Sequence, residues 1–234
     1  MRHYRLLPLL GVITTFATQA FAHDLWLDRE KGDYLLHQGH RHSTHAGAES
    51  VPYDPNIVKG AQCVDTAGAL RQSLPGKTYP ARISGNCAIL LVSLSSGYWS
   101  KTAWETKNVP KTQAPGAIKS WLSEESVKRI DRWIPGAAQP VGDGLEITPF
   151  SDPLALKPDD KLTVLITEGR KPKAGVPVAY DGETRGATGA DGKVSIRVRH
   201  GGMQLISAST EVPLNDGKAD TLVRATALQF ELPK

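Results

Sequence analysis

Cysteine and methionine are scarce, with two of each among 234 residues. Met203 is the only methionine beyond residue 1, which argues against a methionine-rich Cu(I) carrier. Four phenylalanines beside 22 glycines and 16 prolines argue against long helices and coiled coils. Beyond the first 22 residues, no apolar run reaches the roughly 18 residues needed for a transmembrane helix. The chain also lacks a Gly-x-Ser-x-Gly elbow, a His-Glu-x-x-His helix, a phosphate loop and a dinucleotide fingerprint. No enzymatic activity is expected on these grounds.

Charge is sparse as well. Lysine and arginine total 28 against 24 acidic residues. Residues 1–22 hold Arg2 and Arg5 and no acid, so the remainder carries 26 against 24, a balance of +2. A near-neutral chain has no electrostatic reason to seek nucleic acid.

Arg2 and Arg5 precede an apolar run, Leu6 to Phe16, that leads to Ala20-Phe21-Ala22. That order of basic, apolar and small residues is a secretory signal. Residues 1–22 are therefore expected to be removed after Ala22. The mature chain then begins at His23 in an exported, periplasmic compartment, with no membrane span after cleavage. In an oxidising compartment the lone pair Cys63 and Cys87 is expected to form a disulfide.

The fold class reads as all-β. Leu162, Val164 and Ile166 alternate with Thr163 and Thr167, and Val194, Ile196 and Val198 alternate with Ser195, Arg197 and Arg199. Gly189-Ala190-Asp191-Gly192 between them carries the Asp-Gly hairpin signal. Val176–Tyr180, Met203–Ser209 and Thr221–Leu232 add strands, which suggests a small antiparallel β-sandwich over 152–234. Ile89–Leu94 reads as a buried central strand, and Leu145–Thr148 as a short one. A single short helix is expected between Ser123 and Trp133, because Val127, Ile130 and Trp133 fall at helical spacing behind Glu124 and Glu125. The proline-rich stretch that follows places a boundary near Ser151. Two β-sandwich-like domains result: 23–151, holding that helix, and 152–234. Tyr98, Trp99 and Trp104 form an aromatic group expected to pack under a loop.

The chemistry lies in the histidines. Five of the six beyond residue 22 fall between positions 23 and 45: His23, His37, His40, His42 and His45. Imidazole is the commonest transition-metal ligand, and several together suit nickel, copper, zinc or cobalt. In an extended strand His40 and His42 share a face, whereas the others need a turn to converge. Cleavage after Ala22 would leave His23 with a free α-amine, and amine and ring nitrogen can chelate one ion. Asp24 can add an oxygen or orient a ligand. His200 stands apart, and is expected to pack at a strand end with its polar tip hydrogen-bonded.

Several stretches match a known family. His23-Asp24-Leu25-Trp26-Leu27, followed by Gly39-His40, resembles the opening of periplasmic nickel-uptake accessory proteins. The resemblance continues through Gly97-Tyr98-Trp99-Ser100-Lys101-Thr102 and Leu145-Glu146-Ile147-Thr148-Pro149 with Asp152-Pro153. It extends to Asp160-Lys161-Leu162-Thr163-Val164, Gly169-Arg170-Lys171-Pro172, Gly175-Val176-Pro177-Val178 and Thr188-Gly189-Ala190-Asp191-Gly192. It implies an amino-terminal β-domain with the metal site and a carboxy-terminal immunoglobulin- or transthyretin-like sandwich. It also implies a membrane metal transporter as partner.

The function expected is capture or delivery of a transition-metal ion, nickel first and cobalt, copper or zinc after it. The ligands rank His23 and His40, then His42, then His45 and His37. One alternative is a copper-dependent oxidative enzyme built on an amino-terminal histidine chelate. Another is a structural or adhesive module with an incidental histidine tract.

Overall fold

The computed structural model describes residues 24–41 and 49–234. Its strands are β1 (Asp24–Glu30), β2 (Asp33–His40), β3 (Glu49–Ser50), β4 (Val58–Val64), β5 (Leu70–Ser73) and β6 (Ala81–Ser84). Next come β7 (Ile89–Lys101), β8 (Thr106–Lys107), β9 (Lys119–Ile130), β10 (Glu146–Pro149), β11 (Lys161–Glu168) and β12 (Lys171–Pro172). The last five are β13 (Pro177–Tyr180), β14 (Glu183–Ala187), β15 (Lys193–Arg197), β16 (Gly202–Pro213) and β17 (Thr221–Leu232). The fold is all-β, and the described helices are single 3₁₀ turns. None of them is long and apolar enough to cross a membrane.

Three sheets stack in layers. The middle one has nine strands in the order β14-β13-β16-β17-β9-β7-β4-β5, with β8 paired to β7. β1, β2, β3 and β6 form a sheet over one of its faces, and β10, β11, β12 and β15 form a sheet over the other. The central strands feed both interfaces by alternation. Leu90, Val92 and Leu94 pack with Leu25, Leu27, Tyr34 and Leu36 of the first sheet. Ile89 and Leu91 pack with Ile147, Leu162, Val164 and Ile166 of the third.

This layering corrects the helix expected over Ser123–Trp133, which is strand β9 and its exit. Val127 belongs to one core and Ile130 to the other. Their spacing of three marks the two faces of a strand covered on both sides, which mimics one face of a helix. β9 pairs antiparallel with β7 and parallel with β17, so tertiary pairing satisfies its backbone on both edges.

The boundary expected near Ser151 falls between β10 and β11, which are hydrogen-bonded neighbours. The parallel β9–β17 ladder also joins the two halves. The Asp-Gly turn before β15 is formed, with Gly192 N–H donating to Gly189 O at 2.9 Å. It links β14 and β15, strands of different sheets, and is therefore no hairpin. Cys63 and Cys87 form the expected disulfide, with Cα atoms 5.3 Å apart. Trp99 stacks on Trp121 with ring centroids 6.4 Å apart. Trp104 instead stands 94% exposed at the β7–β8 turn, contrary to the packing expected for it.

One ion pair lies inside the sandwich. Lys128 Nζ is 2.6 Å from Glu146 Oε1, and both side chains are almost wholly buried. Lys128 also donates to Thr148 Oγ1 at 3.1 Å. Glu146 accepts from the backbone N–H groups of Val141 (2.9 Å) and Gly142 (2.7 Å), which fixes the loop leading into β10.

Candidate metal site

The candidate site is the β1–β2 hairpin. Asp24-Leu25-Trp26-Leu27 and Tyr34-Leu35-Leu36-His37 are separated by Lys31-Gly32, both at positive φ (51° and 93°). A two-residue turn of that hand matches the twist of the strands it joins. The register pairs Asp24 with Gly39, Trp26 with His37 and Glu30 with Asp33. Leu25, Leu27, Tyr34 and Leu36 turn inward to the core. The other face carries Trp26, Asp28 and His37 by alternation.

Two buried polar side chains of the middle sheet anchor β1. Leu27 N–H donates to Gln229 Oε1 at 2.8 Å, and Leu27 O accepts from Gln229 Nε2 (2.8 Å) and an Arg129 Nη (2.6 Å). The hairpin is thus held rigidly at its middle, which fixes where its ends fall.

His37 is committed to the outer face. Its ring stacks on Trp26 with centroids 5.4 Å apart and planes at 16°. Nε2 lies 3.6 Å from Asp28 Oδ2, and Nδ1 lies 3.5 Å from Ser50 Oγ. Trp26 Nε1 donates to the same Asp28 oxygen at 3.2 Å. Burial lowers the His37 pKa below 6.5, the Arg41 charge adds to that, and Asp28 opposes it. The Arg41 guanidinium sits 5.3 Å from the centre of the Trp26 ring.

His40 ends β2, three residues on, and therefore projects from the opposite face to His37. It pairs with Glu49 in the β2–β3 ladder. Asp24 Oδ2 accepts from Arg41 N–H at 3.2 Å, tying the start of β1 to the chain just beyond His40. The structure thus places His40 and Asp24 at one end of the hairpin and does not bring His37 to His40. His23, His42 and His45 lie outside the described residues. Among the described residues no three His, Cys, Asp or Glu side chains form a metal-holding group.

His200 is far along the chain and has its own partners. Nε2 lies 2.8 Å from Asp181 Oδ2, Nδ1 lies 2.7 Å from Gly201 O, and the ring stacks on Tyr180. The Gly201 carbonyl raises its pKa above 6.5, burial opposes that, and Asp181 adds to the rise.

Sequence reasoning missed the roles of Trp26 and Asp28 beside His37. The Lys31-Gly32 turn between two apolar stretches would have supplied their register. No curated protein matches the chain. Residues 20–212 match a family described as a domain of unknown function, DUF4198, and the chain belongs to that family.

Proposed function

We propose that this is an exported, periplasmic protein that binds a transition-metal ion, nickel first, and captures it or hands it to a membrane transporter. The observation that carries the reading is the β1–β2 register. Asp24 stands opposite Gly39, and His40 follows Gly39. His23 directly precedes Asp24 in the chain, so connectivity keeps a mature amino terminus there within one residue of the paired Asp24 and Gly39. The amine and ring of His23 and the ring of His40 would supply three nitrogen donors, a set suited to nickel, copper, zinc or cobalt. His42 and His45 follow His40 closely enough to complete the set. His37 ranks last, because it faces away from His40 and is engaged by Trp26 and Asp28. The resemblance to nickel-uptake accessory proteins supports nickel as the cargo and a transporter as the recipient.

The test is calorimetric titration of nickel into the chain beginning at His23, with His40→Gln and His37→Gln variants alongside. His40→Gln should weaken binding at least tenfold, because even loss of a ligand's supporting partner costs roughly 10- to 100-fold. His37→Gln should change it by less than about threefold, since that ring is no first-choice donor here. Equal, small losses in both variants would identify an incidental histidine tract and overturn the reading.

A further inference from the structure

We propose that the groove between strands β4, β5 and β7 and the loop Gly142–Glu146 binds a neutral, hydroxyl-rich ligand of mono- to disaccharide size, independently of any metal ion.

The groove follows from how the sheets overlap. Val64 and Leu91 face the third sheet and pack in its core. By alternation Gln62 and Ser93 share that face. The register sets Gln72 beside Gln62, Gln62 beside Leu91 and Ser93 beside Ser126. Amides and hydroxyls thus continue the face where the apolar core stops. The loop that enters β10 stands over them and leaves a cavity of about 470 Å³. Small-molecule sites usually measure roughly 300–1,000 Å³. A second hollow of about 220 Å³ adjoins it and shares Lys59, Ser93, Ser126, Gly144 and Leu145.

The cavity is preformed, because its roof is pinned. Glu146 holds the N–H groups of Val141 and Gly142. Arg170 donates to Asp143 Oδ1 and to the Val141 carbonyl, each at 2.8 Å, and Gly169 N–H donates to Asp143 O at 2.8 Å. At Gly144 an added Cβ would meet no atom within 4 Å, so the roof faces open space there.

The lining selects the class of ligand. Gln62, Gln72, Ser73 and Ser93 line the cavity, and among the described residues no hydrogen bond engages their side chains. Amides and hydroxyls both donate and accept, which matches the hydroxyls of a sugar. The charged groups of the walls cancel. Glu146 pairs with Lys128 at 2.6 Å, Asp143 with Arg170 at 2.8 Å and Glu124 with Arg224 at 2.8 Å. The two that remain, Lys59 and Glu125, are of opposite sign. Such a groove has no net charge with which to draw an anion or a cation. Leu91 and Leu145 supply apolar contact for the C–H faces of a ring, and Leu74, 82% exposed at the rim, would be covered by it. An extended peptide would instead add along a strand edge through backbone groups, whereas this groove presents side chains of a sheet face.

The test is saturation-transfer difference NMR on the disulfide-intact protein in EDTA, which keeps metal binding out of the result. The probes are glucose, galactose, N-acetylglucosamine, maltose and cellobiose at millimolar concentration, the weak end of specific binding. At least one should show transfer and shift the side-chain amide signals of Gln62 and Gln72. Gly144→Leu, which fills the open space, should abolish binding while keeping the unaltered protein's thermal midpoint. Gln62→Ala should weaken binding roughly two- to tenfold, the loss of about one neutral hydrogen bond. If Gly144→Leu does not fold, Gln62→Ala decides alone, and unchanged affinity in it overturns the proposal. No transfer from any of these sugars, or binding that survives Gly144→Leu, would overturn it as well. Binding of free alanine but of no sugar would assign the groove to zwitterions held by Lys59 and Glu125, and would equally overturn it.

Discussion

The buried Lys128–Glu146 pair gives the sharpest test of how the sandwich is held. Its two members are not equivalent. Without the ammonium, the Glu146 carboxylate keeps the N–H groups of Val141 and Gly142 at 2.9 and 2.7 Å. Without the carboxylate, Lys128 keeps only the Thr148 hydroxyl at 3.1 Å, and the two backbone donors lose a charged acceptor. Breaking a buried pair by removing one partner typically costs about 3–5 kcal/mol. Glu146→Gln should fall in that range, because one amide oxygen then faces three donors. Lys128→Met should cost less, about 2–3 kcal/mol, since hydrogen bonds to a charged group contribute about 1.5–3 kcal/mol each and two of them remain. Urea unfolding at pH 7 with the disulfide intact, followed by far-ultraviolet circular dichroism, reads both values. For a chain of this size each kcal/mol moves the thermal midpoint by roughly 2–4 °C. The reasoning is refuted if Lys128→Met costs as much as Glu146→Gln, or if either costs under about 1 kcal/mol.

Two further outcomes follow from local geometry. Gly192 has φ +74°, and a Cβ there would lie 2.8 Å from Pro172 Cβ and 3.0 Å from both Ile166 O and Lys173 N. Gly192→Ala should therefore destabilise the protein by more than about 1 kcal/mol in the same urea assay, since backbone strain of this kind costs roughly 1–3 kcal/mol. The fold raises the His200 pKa above 6.5, so its protonated ring stabilises the protein below about pH 6.5, and that contribution is lost as pH rises through the raised value. The side chain is half exposed, so screening keeps the effect below about 1 kcal/mol. Comparing thermal midpoints with His200→Gln at pH 5.5 and 8.5 should show a wild-type advantage only at the lower pH; an equal advantage at both would refute the assignment.

Much of the β architecture was legible in the chain. Thr221–Leu232 was read with the bounds it has as β17, and the alternation of Leu162–Ile166 and Val194–Val198 marked β11 and β15, which pair directly. The lone cysteine pair identified the disulfide. The helix over Ser123–Trp133 failed because a strand buried on both faces loses the alternation that marks a half-buried one. Val127 and Ile130 then imitate a helical stripe. The Asp-Gly turn misled for a different reason: its local chemistry specifies a reversal, but nothing local tells whether the outgoing strand rejoins the same sheet. In the candidate site, the odd spacing of His37 and His40 already separates their faces. The partnership of Trp26 with His37 needed the hairpin register.

The proposed metal site is completed by the amino terminus that cleavage after Ala22 would expose. Nickel calorimetry on two preparations, one beginning at His23 and one with a single glycine before it, tests whether that terminus is a ligand. The added residue turns the basic α-amine of His23 into an amide nitrogen and removes one arm of the chelate. The extended chain should bind nickel at least tenfold more weakly. Equal affinities in the two preparations would contradict it and take the terminal amine out of the site.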